Sequence, residues 1–332
     1  MGKRVEECVD LIIIGGGTTG LFAAYYATMR EMKVMLIEAQ EQLGGKVMQF
    51  LPEKIIYDVG GFPDISGEAL VENMIEQAKR HQPEVVMGDF VEKLTKVNHL
   101  FQLETAKGHI VTAKTVLIAT GSGTFHTKRP SEWPNLPHSV FKESVPTTLM
   151  HKANYEGKKV VISSNSKVGV GWALFLEGLA KEVTLINPAD KFLQVKDEDI
   201  DSLYKSKVKV YYQVEMTDFI VEGQELTHIE IKEKGQRIVM EANKLLTYHG
   251  LELQAVPFEQ WGIQIEKGRI PVTPLMKTNL EGVFAAGDIV QYPGKTTLIA
   301  SGYTEAITAV NHAHLMIDPK ATEQLYSTVI YR

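Results

Sequence analysis

The chain has 332 residues, enough for two domains that each bury a core, and its 44% hydrophobic and 23% charged content is ordinary for a globular protein. A formal net charge of −6 argues against general nucleic-acid binding, which needs a basic surface, and no apolar run reaches the length of a membrane span. Its single cysteine, Cys8, excludes an intrachain disulfide, a Cys-x-x-Cys redox centre and a thiolate metal cluster; with no signal-peptide core in the opening MGKRVEECVD, the expectation is a cytoplasmic protein.

The first structured stretch, VDLIIIGGGTTGLFAAYYATMREMKVMLIE, predicts a strand over 9–14, a glycine turn, a helix over about 18–30 and a strand over 33–37. The turn is G-x-G-x-x-G, carried by Gly15, Gly17 and Gly20, and Glu38 stands eighteen residues beyond it. Gly15 permits a tight bend, Gly17 lets backbone approach a pyrophosphate, and Gly20 lets helix and strand pack closely. The helix start offers free N–H groups and a positive dipole end to phosphates. A carboxylate at Glu38 accepts hydrogen bonds from ribose hydroxyls and repels a 2′-phosphate, so the ligand expected here is FAD or NAD rather than NADP.

Further on, the Gly44–Gly45 pair suits backbone passing close to a ligand. A helix over 67–80 follows, with Asp64 or Ser66 as its cap. Strands at 84–87, 91–97, 100–104 and 109–112 read as an antiparallel insert, and an apolar strand over 115–123 ends in Thr-Gly-Ser-Gly. The proline-bearing stretch 130–146 reads as a connector. A second strand–turn–helix–strand unit covers 159–163, 168–181 and 182–186, then alternating strands fill 207–246. The chain then returns to its first domain through a strand over 282–290 and a helix over 301–316. The domains expected are 1–118 with 248–332, and 123–244. His312 and His314, two apart on that last helix, face different sides, so no metal site is expected.

The segments EQLGG, LPEKIIYDVGGFPDISGEAL, AAGDIVQYPGK, LIASGY and DPKA, with Gly15–Gly20, Thr120–Gly123 and Gly287–Asp288, resemble the two-dinucleotide-binding-domain flavoproteins. Within them the chain is most similar to ferredoxin–NADP reductases of the thioredoxin-reductase-like type, over nearly its whole length. The resemblance implies an α/β fold of two nested Rossmann-like, three-layer ββα domains, the FAD domain discontinuous in sequence. It implies a homodimer with one FAD per subunit that carries electrons from NADPH to ferredoxin or flavodoxin. By the same resemblance Gly15, Gly17, Thr19 and Gly20 hold the pyrophosphate, Glu38 the adenosine ribose, and Val91 adenine through its backbone. Phe125 borders the flavin and Asp288 binds the ribityl chain, while Gly45, Thr120, Gly121 and Gly287 complete the cofactor-binding set. Tyr326 and Thr328, in the C-terminal tail, cover the other subunit's flavin.

Two flavin-site positions depart from the family: Lys46 replaces a glutamine and Leu51 a stacking tyrosine. The larger departure is in the middle of the chain. Ser164 and Ser166 stand where the first two turn glycines belong, leaving Gly169, and Asn187-Pro188-Ala189 replaces a His-Arg-Arg whose arginines grip a 2′-phosphate. The expectation is that FAD binds and that NADPH binding is impaired or absent. Three readings stay open: a flavin reductase using NADPH or NADH in an altered mode, a flavoprotein fed by another donor, and a non-catalytic flavin-binding module. A flavin needs no protein acid or base for hydride transfer, so no catalytic side chain is named.

Overall fold

The computed structural model describes residues 8–128, 144–146, 148–149, 151–223 and 225–330. Most of the connector expected at 130–146 therefore lies outside the described residues. The chain divides into two compact units, Met1–Thr124 with Gln254–Arg332, and Phe125–Leu253.

The first unit is built on the apolar strand β1 (Val9–Ile14), which the turn joins to helix α1 (Thr18–Met29) and then to β2 (Val34–Glu38). Next come α2 (Gly45–Phe50), α3 (Gly67–Lys79), β3 (Glu84–Met87), β4 (Val91–Val97), β5 (Leu100–Thr105) and β6 (Ile110–Ile118). Ser66 is the cap of α3, its hydroxyl accepting from the Ala69 N–H at 3.2 Å. Among the described residues these strands form a seven-stranded sheet in the order β3-β2-β1-β6-β5-β4, with a later strand joining beside β6.

The run expected as two strands, 109–112 and 115–123, is one strand with two pairing modes. Its start lies antiparallel to β5 (Phe101↔Ala113), while its end lies parallel to β1 (Ile14↔Ile118). The sequence pattern broke at Lys114, which is exposed and pairs with Asp10, but the backbone ladder continues through it.

Both faces of β1 are buried, as a central parallel strand requires. Leu11 and Ile13 pack with Leu21, Ala24 and Ala27 of α1, whereas Ile12 and Ile14 pack with Leu94, Phe101 and Trp261 on the opposite side. The result is helix, parallel sheet and β-meander in three layers.

The second unit repeats the opening: β7 (Lys159–Ser164), α4 (Lys167–Leu176) and β8 (Glu182–Asn187). Then follow α5 (Asp197–Lys205), β9 (Lys209–Tyr212), β10 (Val214–Glu222), β11 (Glu225–Glu233), β12 (Gln236–Glu241) and β13 (Lys244–Tyr248). A parallel sheet of order β9-β8-β7-β13 carries α4 on one face, through Val170, Trp172 and Leu176. The antiparallel sheet β10-β11-β12 covers the other face through Ile229, Ile231 and Phe219. Helix α4 ends at Leu176 rather than continuing to 181. Gly178 stands two residues on, after the cap residue Glu177, and the N–H groups of Leu179 and Ala180 fold back onto the Leu176 carbonyl.

The chain re-enters the first unit at Gln254; there β14 (Val283–Ala285) lies parallel to β6, followed by α6 (Ile299–Ile317) and the short α7 (Ser327–Ile330). The strand expected over 282–290 stops at Ala285 because Gly287, at φ +86, turns the backbone out of the sheet. No helix among the described residues is long and apolar enough to cross a membrane.

Candidate functional site

Four loops meet at the C-terminal ends of the first unit's parallel strands, where open α/β sheets bind ligands. They are the Gly15–Gly20 turn after β1, Gly44–Lys46 after β2, Thr120–Ser122 after β6 and Gly287–Asp288 after β14. The Gly15 backbone has φ +107, and a Cβ there would sit 2.5 Å from the Ala119 carbonyl oxygen. A Cβ on Gly20 would sit 1.9 Å from the Gly15 carbonyl oxygen, so helix and turn touch backbone to backbone. Gly17 begins α1 with no side-chain cap, which leaves helix N–H groups for a ligand.

Gly45 faces this turn. A Cβ on it would lie 3.0 Å from Gly17 Cα, and the Gly44 N–H donates to the Gly16 carbonyl at 2.8 Å. Thr19 is wedged on the other side, where Cβ atoms on Gly287 and Gly302 would meet its hydroxyl at 2.8 and 2.3 Å. The Thr120 hydroxyl is buried with no partner among the described residues, as expected of a group that waits for a ligand. We expect Gly20→Ala to destabilise this unit by about 1–3 kcal/mol, the range for overpacking. The check is a lowered denaturant midpoint together with loss of FAD uptake.

Glu38 is buried at the end of β2. Its two oxygens accept the Gly16 N–H at 2.6 Å and the Gln40 N–H at 2.8 Å. Burial pushes its carboxyl above the ordinary value, and the N–H groups of Gln40, Gly16 and Ala39 oppose that shift. An ionised carboxylate has about four acceptor sites, so capacity for ribose hydroxyls remains. Val91 begins β4 close by, since the Asp89 N–H bonds the Glu38 carbonyl at 3.1 Å.

Sequence reasoning missed a buried charge beneath the Gly287 turn. Glu305 of α6 accepts the Gly287 N–H at 2.7 Å, the Tyr292 hydroxyl at 2.6 Å and the Lys295 ammonium at 2.6 Å. Both side chains of the ion pair are within 4% of full burial. Burial, then the Glu305 contact, pushes the Tyr292 phenol up to about 12. The signal was present in the sequence: Glu305 lies at core spacing with Gly302, Ala306, Ala309 and Val310.

Leu51 closes α2 and is 42% exposed, and Phe125 belongs to the second unit. Thr328 sits exposed on α7 and Tyr326 exposed just before it. The tail leading to them is anchored at the far end of α1, about 18 Å of helix from the cradle at 1.5 Å per residue. There the buried Arg30 donates to His314 Nδ1 at 3.0 Å, to Asn311 Oδ1 at 2.7 Å and to the Thr322 carbonyl.

Burial, then the neighbouring Arg30 charge, holds the His314 imidazole below its ordinary value of 6.5, against Asp318 and Asp10. Neutral Nδ1 is the acceptor this anchor needs. A depressed folded-state value means the anchor contributes fully above pH 6.5 and loses stability as pH falls below it. Arg30→Ala is expected to cost about 1.5–3 kcal/mol, the worth of a hydrogen bond to a charged group. Hydrogen exchange, corrected for the intrinsic rate at each pH, should show lower protection of the tail amides in this variant, and in the unaltered protein as the buffer is acidified.

The second unit's turn has the same register but different chemistry. Ile14 pairs with Ile37 and Ser163 with Ile186, so Ser164 corresponds to Gly15 and Asn187 to Glu38. A Cβ on Gly169 would lie 2.4 Å from Ser164 Cβ, so the Ser164 side chain fills the turn's inner space. The Ser166 N–H donates to Ser164 Oγ at 3.2 Å, and the Val168 N–H donates to Ser166 Oγ at 3.3 Å. The helix start is thus capped from within. Asn187 Oδ1 accepts the Ala189 N–H at 2.8 Å, and its buried Nδ2 has no partner among the described residues, but the side chain brings no charge to hold a phosphate. Lys167 and Lys191 are exposed. These residues do not fit a dinucleotide carrying a 2′-phosphate.

Residues 9–313 match the family model described as pyridine nucleotide-disulphide oxidoreductase. The chain belongs to this family. Among its relatives, a ferredoxin–NADP reductase of Halalkalibacterium halodurans is 38% identical over 96% of both chains. A protein named ferredoxin–NADP reductase 2, from Shouchella clausii, is also 38% identical over 96% of both. Of solved structures, the thioredoxin reductase of T. acidophilum superposes with a TM-score of 0.60 at 22% identity, covering 94% of this chain and 99% of that one. At that identity the likeness speaks for the two-domain fold alone. Membership makes this member of the pyridine nucleotide-disulphide oxidoreductase family an oxidoreductase, and its lone Cys8 leaves no dithiol pair in the chain.

Proposed function

We propose that the chain is an FAD-dependent oxidoreductase that passes electrons through its flavin to a small redox protein such as ferredoxin or flavodoxin. The reading rests on one contrast. The chain contains the same strand–turn–helix twice, open and uncapped at Gly15–Gly20, filled and capped at Ser164–Gly169. In this reading Gly15, Gly17, Thr19, Gly20 and Gly45 hold the pyrophosphate through backbone and helix start. Glu38 takes the adenosine ribose, Val91 the adenine, and Thr120, Gly121, Gly287 and Asp288 the ribityl side. Bound FAD supplies the capacity to accept and release electron pairs. The chain's part is to hold the cofactor, exclude water and admit a partner. Leu51, exposed within its own unit, and Phe125 border the flavin, and Tyr326 and Thr328 reach that of a second copy, which makes the working form a homodimer.

Its electron donor is not ordinary NADPH. The sealed second turn favours a flavoprotein supplied by another donor, a reduced redox protein included, over one that takes NADPH tightly. The test is anaerobic: load the protein with FAD, photoreduce it, and mix it with oxidised ferredoxin or flavodoxin. Reoxidation of the flavin with matching reduction of the partner supports the proposal. A preparation that refuses FAD, or reduced flavin inert to both partners, contradicts it.

A further inference from the structure

Lys46 ties three of the cradle's loops together. It follows Gly45, which faces Gly17, and its ammonium lies 2.7 Å from Asp288 Oδ2 and 3.2 Å from Ser122 Oγ. An ammonium has three donors, so one is left for a ligand beyond these two bonds. The Lys46 side chain is 40% exposed and that of Asp288 28%, so the pair opens into the cradle rather than being sealed beneath it. The nearby Lys295 is different, because it is buried and consumed by Glu305. Glu38 stands at the other side of the Gly15–Gly20 turn, bound to backbone N–H groups. At the Asp288 end, therefore, Lys46 is the cation that balances the carboxylate.

We propose that Lys46 is an electrostatic tuning residue for the flavin, a role that rests on the FAD reading above. When the oxidised ring takes two electrons and one proton, it gains a negative charge. An ammonium beside it favours that charged form and so raises the potential. Sulfite reports on the same field: its sulfur forms a bond to the ring, the ring accepts the electron pair, and the adduct is negative. Neutralising Lys46 leaves the Asp288 carboxylate uncompensated, which disfavours both the reduced ring and the adduct.

The experiment uses the full chain loaded with FAD. In Lys46→Gln, sulfite affinity should fall about tenfold and the two-electron midpoint potential, read against a mediator dye, should drop by about 30 mV, the equivalent of that tenfold change. Lys46→Arg should keep most of both. The mirror variant Asp288→Asn, which leaves the ammonium unbalanced, should move both in the opposite direction, and it serves if Lys46→Gln fails to take up FAD. FAD-loaded Lys46→Gln with unchanged potential and sulfite affinity, or an Asp288→Asn with no rise, overturns the proposal while the FAD reading stands. An unaltered protein that takes up no FAD sinks both, and it is distinguished at the first step by a colourless preparation.

Discussion

Replacing Glu305 by leucine is expected to lower the stability of the first unit by about 3–5 kcal/mol, the cost of leaving a buried charge without its partner. The Lys295 ammonium is buried, and it keeps only this carboxylate as a counter-ion among the described residues. The same substitution frees the Gly287 N–H and the Tyr292 hydroxyl, which Glu305 also holds. Gly287 packs against Thr19 in the turn that opens α1, so the loss reaches the cradle as well as the core. Urea denaturation should show a lower midpoint and FAD titration a weaker affinity. Pairing Glu305→Leu with Lys295→Met should recover most of the stability, because replacing both members of a buried pair by apolar groups is often neutral. It should not restore the Gly287 contact, so FAD affinity should recover less than stability does. That split separates the two roles of one side chain.

The second large effect is a gain. Reinstalling small residues and cations in the middle cradle, as Ser164→Gly, Ser166→Gly, Pro188→Arg and Ala189→Arg together, is expected to tighten NADPH binding roughly 10²- to 10⁴-fold. That range corresponds to two charge-assisted hydrogen bonds at about 1.5–3 kcal/mol each. The glycines act separately. They empty the space the Ser164 side chain fills and release the helix N–H groups that the Ser164 and Ser166 hydroxyls occupy. Fluorescence titration of each pair alone should show that neither the glycines nor the arginines suffice, since phosphate contact needs both an approach and a grip. If the arginines alone restored tight binding, the turn would have been open all along.

Much of the architecture was readable because it depends on local pattern. The unbroken apolar run of β1, three glycines in register and a terminal acid define one strand–turn–helix–strand unit, and the structure builds it with Gly20 against Gly15 backbone. One failure came where pairing is non-local, the other at a glycine beside a helix end. Lys114 interrupts an apolar pattern without interrupting the ladder, so one strand read as two. Gly178 ended α4 early although the apolar residues beyond it still pack on the same core.

The site was less legible than the fold. Backbone roles could be read from glycine spacing, but side-chain partners could not. Lys46 and Asp288 are 242 positions apart, and Arg30 finds its anchors in α6 and the tail, so no window of sequence contains either pair. Serines in place of glycines were visible as a loss. That their hydroxyls cap the helix they interrupt required coordinates.

The most direct measurement is a paired titration of the purified, full-length protein with FAD and with NADPH, followed by absorbance and by calorimetry. The protein should be yellow with one tightly held FAD per chain, and should bind NADPH at least about a hundredfold more weakly than two intact phosphate contacts would give. NADPH bound tightly against Ser164–Gly169, with rapid bleaching of the flavin, would contradict a filled second turn.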